Sequence, residues 1–332
     1  MKATLTQDRV AERTSSSPSA PQSASRPLYI VMAVLVGMVI PVQARINGEL
    51  SHRLDDGITA ATLSFTCGLI LMTLAAAFSP RLRQSLRTLG AAARSGRLPL
   101  RYLAAGLFGA SFALAQSTTA LITGVAVFTV SAIAGQTLSG LVVDSVGFGG
   151  GIRQRPAGRR LLGAALILVS AVVATLPQLS AAAGPGALLP ALVPLVAGFL
   201  LGFQQAMNGV SGAVAGSPLA ATWMNFFVGA ISLGLVWIIK TLIQGPPAEP
   251  LPSSGWVYLG GLCGVVFIGA SAYLVRRIGV LLLGMGSIAG QLAGSIVLDV
   301  ALPSGGGSTG VLTVAGAVLT LVAVWIASRR RA

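Results

Sequence analysis

Long apolar stretches separated by short polar or basic segments fill the chain from residue 28 almost to its end. A helix needs about 17–25 apolar residues to cross the hydrocarbon core of a membrane. Ten stretches have roughly this length, so the pattern predicts an all-α polytopic membrane protein with ten transmembrane helices. The tight connections at 120–122 and 275–278 predict two antiparallel helical hairpins. The predicted spans are residues 28–48, 58–79, 101–120, 122–143, 160–178, 187–209, 218–239, 256–275, 278–299 and 310–328.

The first 27 residues are polar and rich in Ser, Thr and Pro. Such a segment cannot bury enough apolar surface to fold, so residues 1–27 are predicted to form a disordered tail. The apolar run Leu28–Ala44 resembles the core of a signal peptide. Its polar lead is long for that, however, and a segment of the same type recurs at Leu188–Met207. We therefore predict that this run is the first transmembrane helix.

Composition supports a lipid environment. Hydrophobic residues make up 54% of the chain and charged residues 9%, whereas soluble domains contain about a quarter charged residues. The net charge of +14 is carried by short clusters between apolar runs, without the aromatic and basic segments that bind nucleic acid. We therefore expect no nucleic-acid partner. The two cysteines, Cys67 and Cys263, have no metal-ligand spacing, so we expect no metal site.

The basic residues also predict the orientation. If the amino terminus is cytoplasmic, 19 of the 22 basic residues fall on the cytoplasmic side. They include six arginines from Arg81 to Arg101, which are predicted to lie in an inward loop, and the terminal Arg329–Arg331 run. By the positive-inside rule, both termini are predicted to be cytoplasmic. The outer side keeps Arg45, Arg53 and Lys240.

The chain contains an internal duplication. The pattern of residues 37–48 returns at 198–209, 161 positions later, and a second block returns after 155 positions. Self-similarity over most of the chain indicates a repeated structural unit. The polar positions that recur are Gln43 and Gln204, Asn47 and Asn208, Gln136 and Gln291, and Asp144 and Asp299.

The number of spans in each repeat determines how the repeats are oriented. With five predicted spans in each half, the two halves enter the membrane from opposite sides. The fold is therefore predicted to consist of two inverted five-helix repeats, residues 28–183 and 184–332. This arrangement occurs in secondary transporters, which bind their substrate near the interface between the repeats.

Three motifs carry a family resemblance. They are Gly37, Pro41, Gln43 and Asn47; the segment Ser217–Phe226; and Gly135, Gln136, Asp144 and Gly147. Together they resemble the YdcZ-type branch of the drug/metabolite transporter superfamily, in a form that joins two repeats in one chain. The resemblance covers about residues 28–328 and implies a bacterial inner-membrane exporter with ten helices and a central cavity. It implies no particular substrate.

Polar side chains within the predicted spans are the candidate functional residues. Amides and carboxylates at such depth need partners in neighbouring helices or a wet cavity. Their positions along the spans predict two clusters that line or gate a substrate path. The outer cluster comprises Gln43, Asn47, Gln291 and Asp299, and the cytoplasmic cluster comprises Gln136, Asp144, Gln204 and Asn208.

Each candidate also has a structural explanation. The amides could hold helices together through hydrogen bonds worth about 0.6 kcal/mol each. The two aspartates could be interfacial carboxylates, hydrated or paired with a neighbouring arginine. Arg45 and Glu49 are four residues apart on a predicted helix and could pair with each other.

These observations favour a secondary transporter that exports a small solute by alternating access. The alternative is a membrane scaffold or lipid-handling protein that transports nothing. The sequence has no nucleotide-binding motif and no catalytic constellation, so we expect no enzyme activity and no cofactor. The expected partners are a small-molecule substrate and the lipid bilayer, and a homodimer stays among the candidate assemblies.

Overall fold

A computed structural model describes residues 26–148, 158–181, 189–302 and 311–328. These residues form ten α-helices and two short 3₁₀ helices, and no strand occurs among them. The 3₁₀ helices are Leu100–Ala104 and Gly255–Tyr258. The α-helices are α1 (Arg26–Leu54), α2 (Gly57–Phe78), α3 (Pro80–Arg94), α4 (Ala105–Thr123), α5 (Val125–Val146), α6 (Gly158–Ala181), α7 (Leu189–Ala215), α8 (Pro218–Gln244), α9 (Gly260–Ala301) and α10 (Val311–Ser328).

Most of the helices are suited to a membrane. Seven helical segments of the described residues are long and apolar enough to cross a bilayer, and three shorter segments are also apolar. The seven are Pro27–Leu54, Gly57–Phe78, Leu100–Thr123, Val125–Val143, Leu192–Ala215, Pro218–Gln244 and Leu283–Ala301. The shorter three are Leu161–Val173, Gly260–Ser271 and Val311–Ala323.

The predicted loop at 81–101 is wrong over most of its length, because α3 occupies residues 80–94. The Ser79 hydroxyl caps this helix by accepting from the Leu82 backbone N–H at 3.3 Å, and a proline at the first helical position favours the start. Leu82 and Leu89 are buried against the apolar core. A charge count revealed the arginines of this segment but not the leucines spaced along one helical face.

The predicted hairpin at 120–122 has its reversal at Gly124, between α4 and α5. Gly124 has a φ of 83°, which glycine adopts without steric cost. The two helices pack against each other, with the rings of Phe112 and Phe128 in an edge-to-face contact at 5.7 Å between centroids. One glycine therefore suffices to reverse the chain.

The second predicted hairpin differs in detail. The backbone of α9 is helical over all 42 residues, including the predicted tight connection at 275–278. Along the first part of α9, the contacted residues of α1 come progressively earlier in the chain, and along the last part they come progressively later. The first part of α9 therefore runs antiparallel to α1, and the last part runs parallel to it. The contacts, in the order of α9, are Gly260 with Asn47, Leu274 with Ala33, Gly286 with Ala33, and Gly294 with Pro41. The direction of the chain therefore changes between residues 274 and 286.

Equivalent positions of the duplicated sequence meet at the centre of the fold. Phe65 of α2 and Phe226 of α8 are 161 positions apart, and their ring centroids lie 5.1 Å apart. Each ring also covers a glycine of the other helix, Gly229 for Phe65 and Gly68 for Phe226. The contact between α2 and α8 is therefore nearly the same when the two halves are exchanged.

Other close backbone contacts occur in matching pairs. In each pair a glycine approaches the backbone of a helix from the opposite half, which requires that no Cβ is present at the contact. Gly106 packs on the Asn225 carbonyl and Gly261 on the Ser64 carbonyl, while Gly37 packs on Ser287 and Gly198 on Ala132. The offsets of 161 and 155 positions relate the members of each pair.

Helices α6 and α10 make a similar contact between the halves. The hydroxyl groups of Ser170 and Thr320 are buried and lie 2.6 Å apart. The predicted boundary between the halves, at residues 183 and 184, lies outside the described residues.

Candidate functional site

A buried pair of amides joins α1 to α4. The Asn47 side-chain N–H donates to the Gln116 carbonyl oxygen at 3.0 Å, and both side chains are fully buried. Gly260, at the start of α9, packs directly against the Asn47 carbonyl oxygen, and Gln43 lies one turn earlier on α1 near Gly264. We call Gln43, Asn47 and Gln116 the Asn47 cluster.

This pair leaves hydrogen-bonding capacity unused. The Asn47 side-chain carbonyl oxygen and the Gln116 side-chain N–H₂ have no hydrogen-bond partner among the described residues, although both are buried. A buried polar group without a partner costs about 1–3 kcal/mol. One unused acceptor and one unused donor therefore lie on two bonded side chains in the core.

A second amide cluster joins α7 to α8. Asn225 accepts from the Gln204 side-chain N–H at 2.7 Å and from the Asn208 side-chain N–H at 3.4 Å. Gln204 and Asn225 are buried and Asn208 is half-buried. Gly109 of α4 packs against the Gln204 amide. We call Gln204, Asn208 and Asn225 the Asn225 cluster.

The two clusters correspond under the duplication, with one difference. Gln43 lies against Gly264 as Gln204 lies against Gly109. The partner amides differ, however: Gln116 corresponds to Ser271 and Asn225 corresponds to Ser64. Sequence reasoning missed Gln116 and Asn225 because it kept only polar positions that recur unchanged in both halves. Positions that carry an amide in one half and a serine at the equivalent place in the other half would have been the signal.

Gln291, which was predicted to belong to the outer cluster with Asn47, bonds within its own helix. Gln291 is buried, and its side-chain N–H donates to the Ser287 hydroxyl of the same helix at 3.4 Å. Gln136 is half-buried on α5. Asp144 lies near the end of α5, and its side chain is outside the described part of the chain.

Asp299 connects α9 to the start of α5. Its two carboxylate oxygens accept from the backbone N–H groups of Val125 and Ala126, at 2.9 and 2.8 Å, and the side chain is buried. The first N–H groups of a helix have no partner within the helix, and the helix dipole favours a negative charge there. Asp299 therefore stabilises the α4–α5 reversal, and a role as a gate stays a prediction.

Charged residues lie beside the Asn47 cluster on α1. Glu49 pairs with Arg53 at 2.9 Å and more distantly with Arg45 at 3.9 Å. The expected pairing of Arg45 with Glu49 is thus present, with Arg53 as the closer partner. Arg53 also donates to the Ser254 hydroxyl at 3.0 Å and lies over the Trp256 ring, which ties α1 to the segment before α9.

An ion pair between the buried Asp56 and the half-buried Lys240 links the turn between α1 and α2 to the end of α8. Asp56 caps α2 by accepting from the backbone N–H groups of Ile58 and Thr59, and Lys240 donates to it at 2.7 Å. Burial alone would raise the pKa of this carboxyl. The hydrogen bonds from Lys240 and Thr59 outweigh burial, so the pKa of Asp56 lies below its ordinary value.

A pocket among the described residues lies apart from the amide clusters. It has a volume of about 450 Å³ between the α1–α2 turn, the end of α8 and the segment that follows. Its walls are mainly apolar and include Leu54, Thr62 and Trp237, and none of the eight predicted site residues lines it. In the part of the chain that the structure describes, no group of three His, Cys, Asp or Glu residues could hold a metal ion.

Long apolar helices and two repeat-related amide clusters define a multi-span α-helical membrane protein. The family model described as "Putative inner membrane exporter, YdcZ" matches residues 28–173 and 189–326, one block in each half. The chain belongs to this family of membrane transport proteins. It is also similar to a solved structure titled "Crystal structure of protein", with 17% identity, a TM-score of 0.48, and coverage of 92% of this chain and 97% of that chain. No curated protein matches it.

Proposed function

We propose that this protein is a secondary transporter that exports a small solute from the cytoplasm by alternating access. The observation that carries the proposal is the contact of Phe65 with Phe226, together with the matching glycine contacts around it. When contacts are nearly the same after the two halves are exchanged, a protein can adopt two related conformations, one open to each side of the membrane. A scaffold would gain nothing from such exchangeable packing.

The proposed transmembrane fold has ten spans. Seven segments meet the length for a span, and the three shorter apolar segments supply the rest. α3 is excluded, since it has 15 residues and carries arginines on its exposed side. The halves 28–183 and 184–332 would then contain five spans each, with α9 supplying two.

The proposed orientation places both termini in the cytoplasm of a bacterial cell. The distribution of basic residues supports it, with α3 on the cytoplasmic side and Lys240 on the outer side. In this orientation the Asn47 cluster lies toward the outside. The Asn225 cluster then lies toward the cytoplasm.

The two amide clusters are proposed as alternating gates. When α9 moves away from α1, Gly260 would leave the carbonyl oxygen of Asn47, and a polar solute could use that acceptor and the Gln116 donor. The Asn225 cluster would open in the same way when α4 leaves α7. Binding by neutral donors and acceptors suits a hydrogen-bonding solute. The energy would come from the gradient of the solute or of an ion.

The test begins with intact cells, because the solute is unidentified. A strain without the protein should retain a metabolite that cells with the wild-type protein release. That metabolite, loaded into liposomes with purified protein, should show saturable flux and counterflow. Equal metabolite profiles in both strains, under conditions where the protein is produced and inserted, would contradict export.

A further inference from the structure

The arginines of α3 face away from the protein. Leu82, Leu89 and Ala92 are buried where α3 packs on α2, α7 and α8, whereas Arg87 and Arg94 are exposed. Arg87 and Arg94 are seven residues apart, which places them about two turns apart on one side of the helix. α3 is therefore an amphipathic helix whose apolar side is already occupied by the protein.

No ion pair found among the described residues neutralises the positive charge on this helix. The sequence has no Asp or Glu from residue 57 to residue 143. Arg83 turns back and donates to the Ala76 carbonyl at 3.0 Å, which caps the end of α2. Arg81, Arg87 and Arg94 are exposed and take part in none of the ion pairs found among the described residues.

The residues that flank α3 indicate its depth in the membrane. Phe78, two residues before the helix, has 86% of its surface exposed, and Leu100, six residues after it, has 70% exposed. On a membrane protein, exposed apolar side chains of this size face lipid tails. α3 therefore lies at the edge of the apolar belt, at the level of the headgroups.

This surface has no counterpart in the other half of the chain. The segment equivalent to α3, residues 241–255, contains four prolines and no basic residue. The arginines are therefore not needed for the packing that the duplication repeats. They add a charged surface on one side of the membrane only.

We propose that Arg81, Arg87 and Arg94 bind the phosphate groups of anionic phospholipids in the leaflet that surrounds α3. A guanidinium group fits a phosphate through two parallel hydrogen bonds. Because α3 packs on α2 from one half and on α7 and α8 from the other, the bound lipid holds a helix that contacts both halves. Only the assignment to the cytoplasmic leaflet rests on the proposed orientation.

The test uses the full-length protein in a neutral detergent and follows its thermal unfolding during titration with phosphatidylglycerol or phosphatidylcholine. The variant is Arg81→Gln/Arg87→Gln/Arg94→Gln. The control, Arg329→Gln/Arg330→Gln/Arg331→Gln, removes the same charge at the carboxyl terminus. Each arginine near an anionic surface contributes about fivefold in affinity, so the α3 variant should need about a hundredfold more phosphatidylglycerol for the same stabilisation. The control should lose less of the response to phosphatidylglycerol than the α3 variant.

Three results would overturn the proposal: equal responses of the α3 variant and the wild type, an equal response to phosphatidylcholine, or the same stabilisation by inorganic phosphate alone. The last would indicate a site for a free anion. If the glutamine variant does not fold, the proposal is tested by the salt dependence of the wild-type titration. Stabilisation by phosphatidylglycerol should weaken as salt rises, and a response unaffected by salt would count against arginine–phosphate contacts.

Discussion

Phe65 and Phe226 face each other with their ring centroids 5.1 Å apart and their planes tilted by 50°. They occupy the same position in the two copies of the duplicated sequence. A residue can contact its own equivalent only where the local symmetry axis that relates the copies passes nearby. This pair therefore lies close to the local axis that relates α2 to α8.

The first prediction concerns the glycines beneath these rings. A Cβ on Gly68 would lie 2.3 Å from the Phe226 ring, and a Cβ on Gly229 would lie 2.2 Å from the Phe65 ring. Gly68→Ala and Gly229→Ala should each destabilise the protein by about 1–3 kcal/mol through overpacking. Thermal unfolding in detergent measures the loss.

A matched control lies on the same helix as Gly229. No atom lies within 4 Å of the Cβ position of Gly234, so Gly234→Ala should be neutral or stabilising by up to about 1 kcal/mol. Phe226→Leu should recover part of the stability lost in Gly68→Ala, because it shortens the opposing side chain. Equal behaviour of all three glycine variants would show that these contacts are not tight.

The second prediction concerns pH. The pKa of Asp56 is lower in the folded protein than its ordinary value, so its charged form contributes stability above the unfolded pKa of about 3.8. That contribution is lost as the pH falls through the folded value. Asp56→Asn should cost about 1.5–3 kcal/mol at neutral pH, since a charged hydrogen bond with Lys240 disappears. The difference in the free energy of unfolding between the wild type and Asp56→Asn should disappear in acid.

Unfolding curves between neutral pH and about pH 3 measure this effect. Glu249→Gln, which alters an exposed carboxylate, is the control and should follow the wild type. Lys240→Met should shrink the acid loss of stability, because the pKa of Asp56 in the folded protein then lies closer to or above its unfolded value. If the difference in the free energy of unfolding between the wild type and Asp56→Asn were the same at every pH, the lowered pKa of Asp56 would be contradicted.

The sequence predicted the helices of this fold better than its contacts. Apolar runs locate the starts of α1, α2, α7 and α8 within two residues, while α1, α7 and α8 continue five or six residues beyond their predicted ends. α3 was missed because its apolar residues are few and alternate with arginines. The spans 256–275 and 278–299 were predicted with a tight connection between them, and the structure has helical backbone at that connection.

The candidate site was predicted in part. Asn47 and Gln204 were found since a buried amide in an apolar run is conspicuous and both recur in the duplication. Their partners Gln116 and Asn225 correspond to serines in the other half, so a search for polar residues that recur in both halves did not find them. The two N–H groups that Asp299 accepts belong to the backbone, which no residue pattern displays.

The third prediction concerns orientation. In a background with Cys67→Ala and Cys263→Ala, a cysteine at Arg87 should resist a membrane-impermeant thiol reagent applied to intact cells. A cysteine at Ser253, which is exposed before α9, should react readily. Both should react after the membrane is permeabilised. Rapid labelling at Arg87, or protection at Ser253, would reverse the proposed orientation.

The fourth prediction separates packing from transport in the amide clusters. Asn47 is fully buried and bonded at 3.0 Å, whereas Asn208 is half-buried with a contact of 3.4 Å. Asn47→Ala should therefore destabilise the protein by about 1–3 kcal/mol and Asn208→Ala by less. If both line the path, flux of the exported metabolite per folded molecule should fall sharply in both variants. Unchanged flux per folded molecule would assign both residues to packing.

The most direct test of alternating access needs no substrate. In a double variant with Asn47→Cys and Asn208→Cys, built without the two native cysteines, a charged thiol reagent is first applied from outside. A fluorescent maleimide is then applied from the cytoplasmic side of inverted vesicles. If the clusters open in turn, modification at position 47 holds the outer side open, and labelling at position 208 should slow by about tenfold or more. A labelling rate at position 208 that does not depend on modification at position 47 would contradict alternating access.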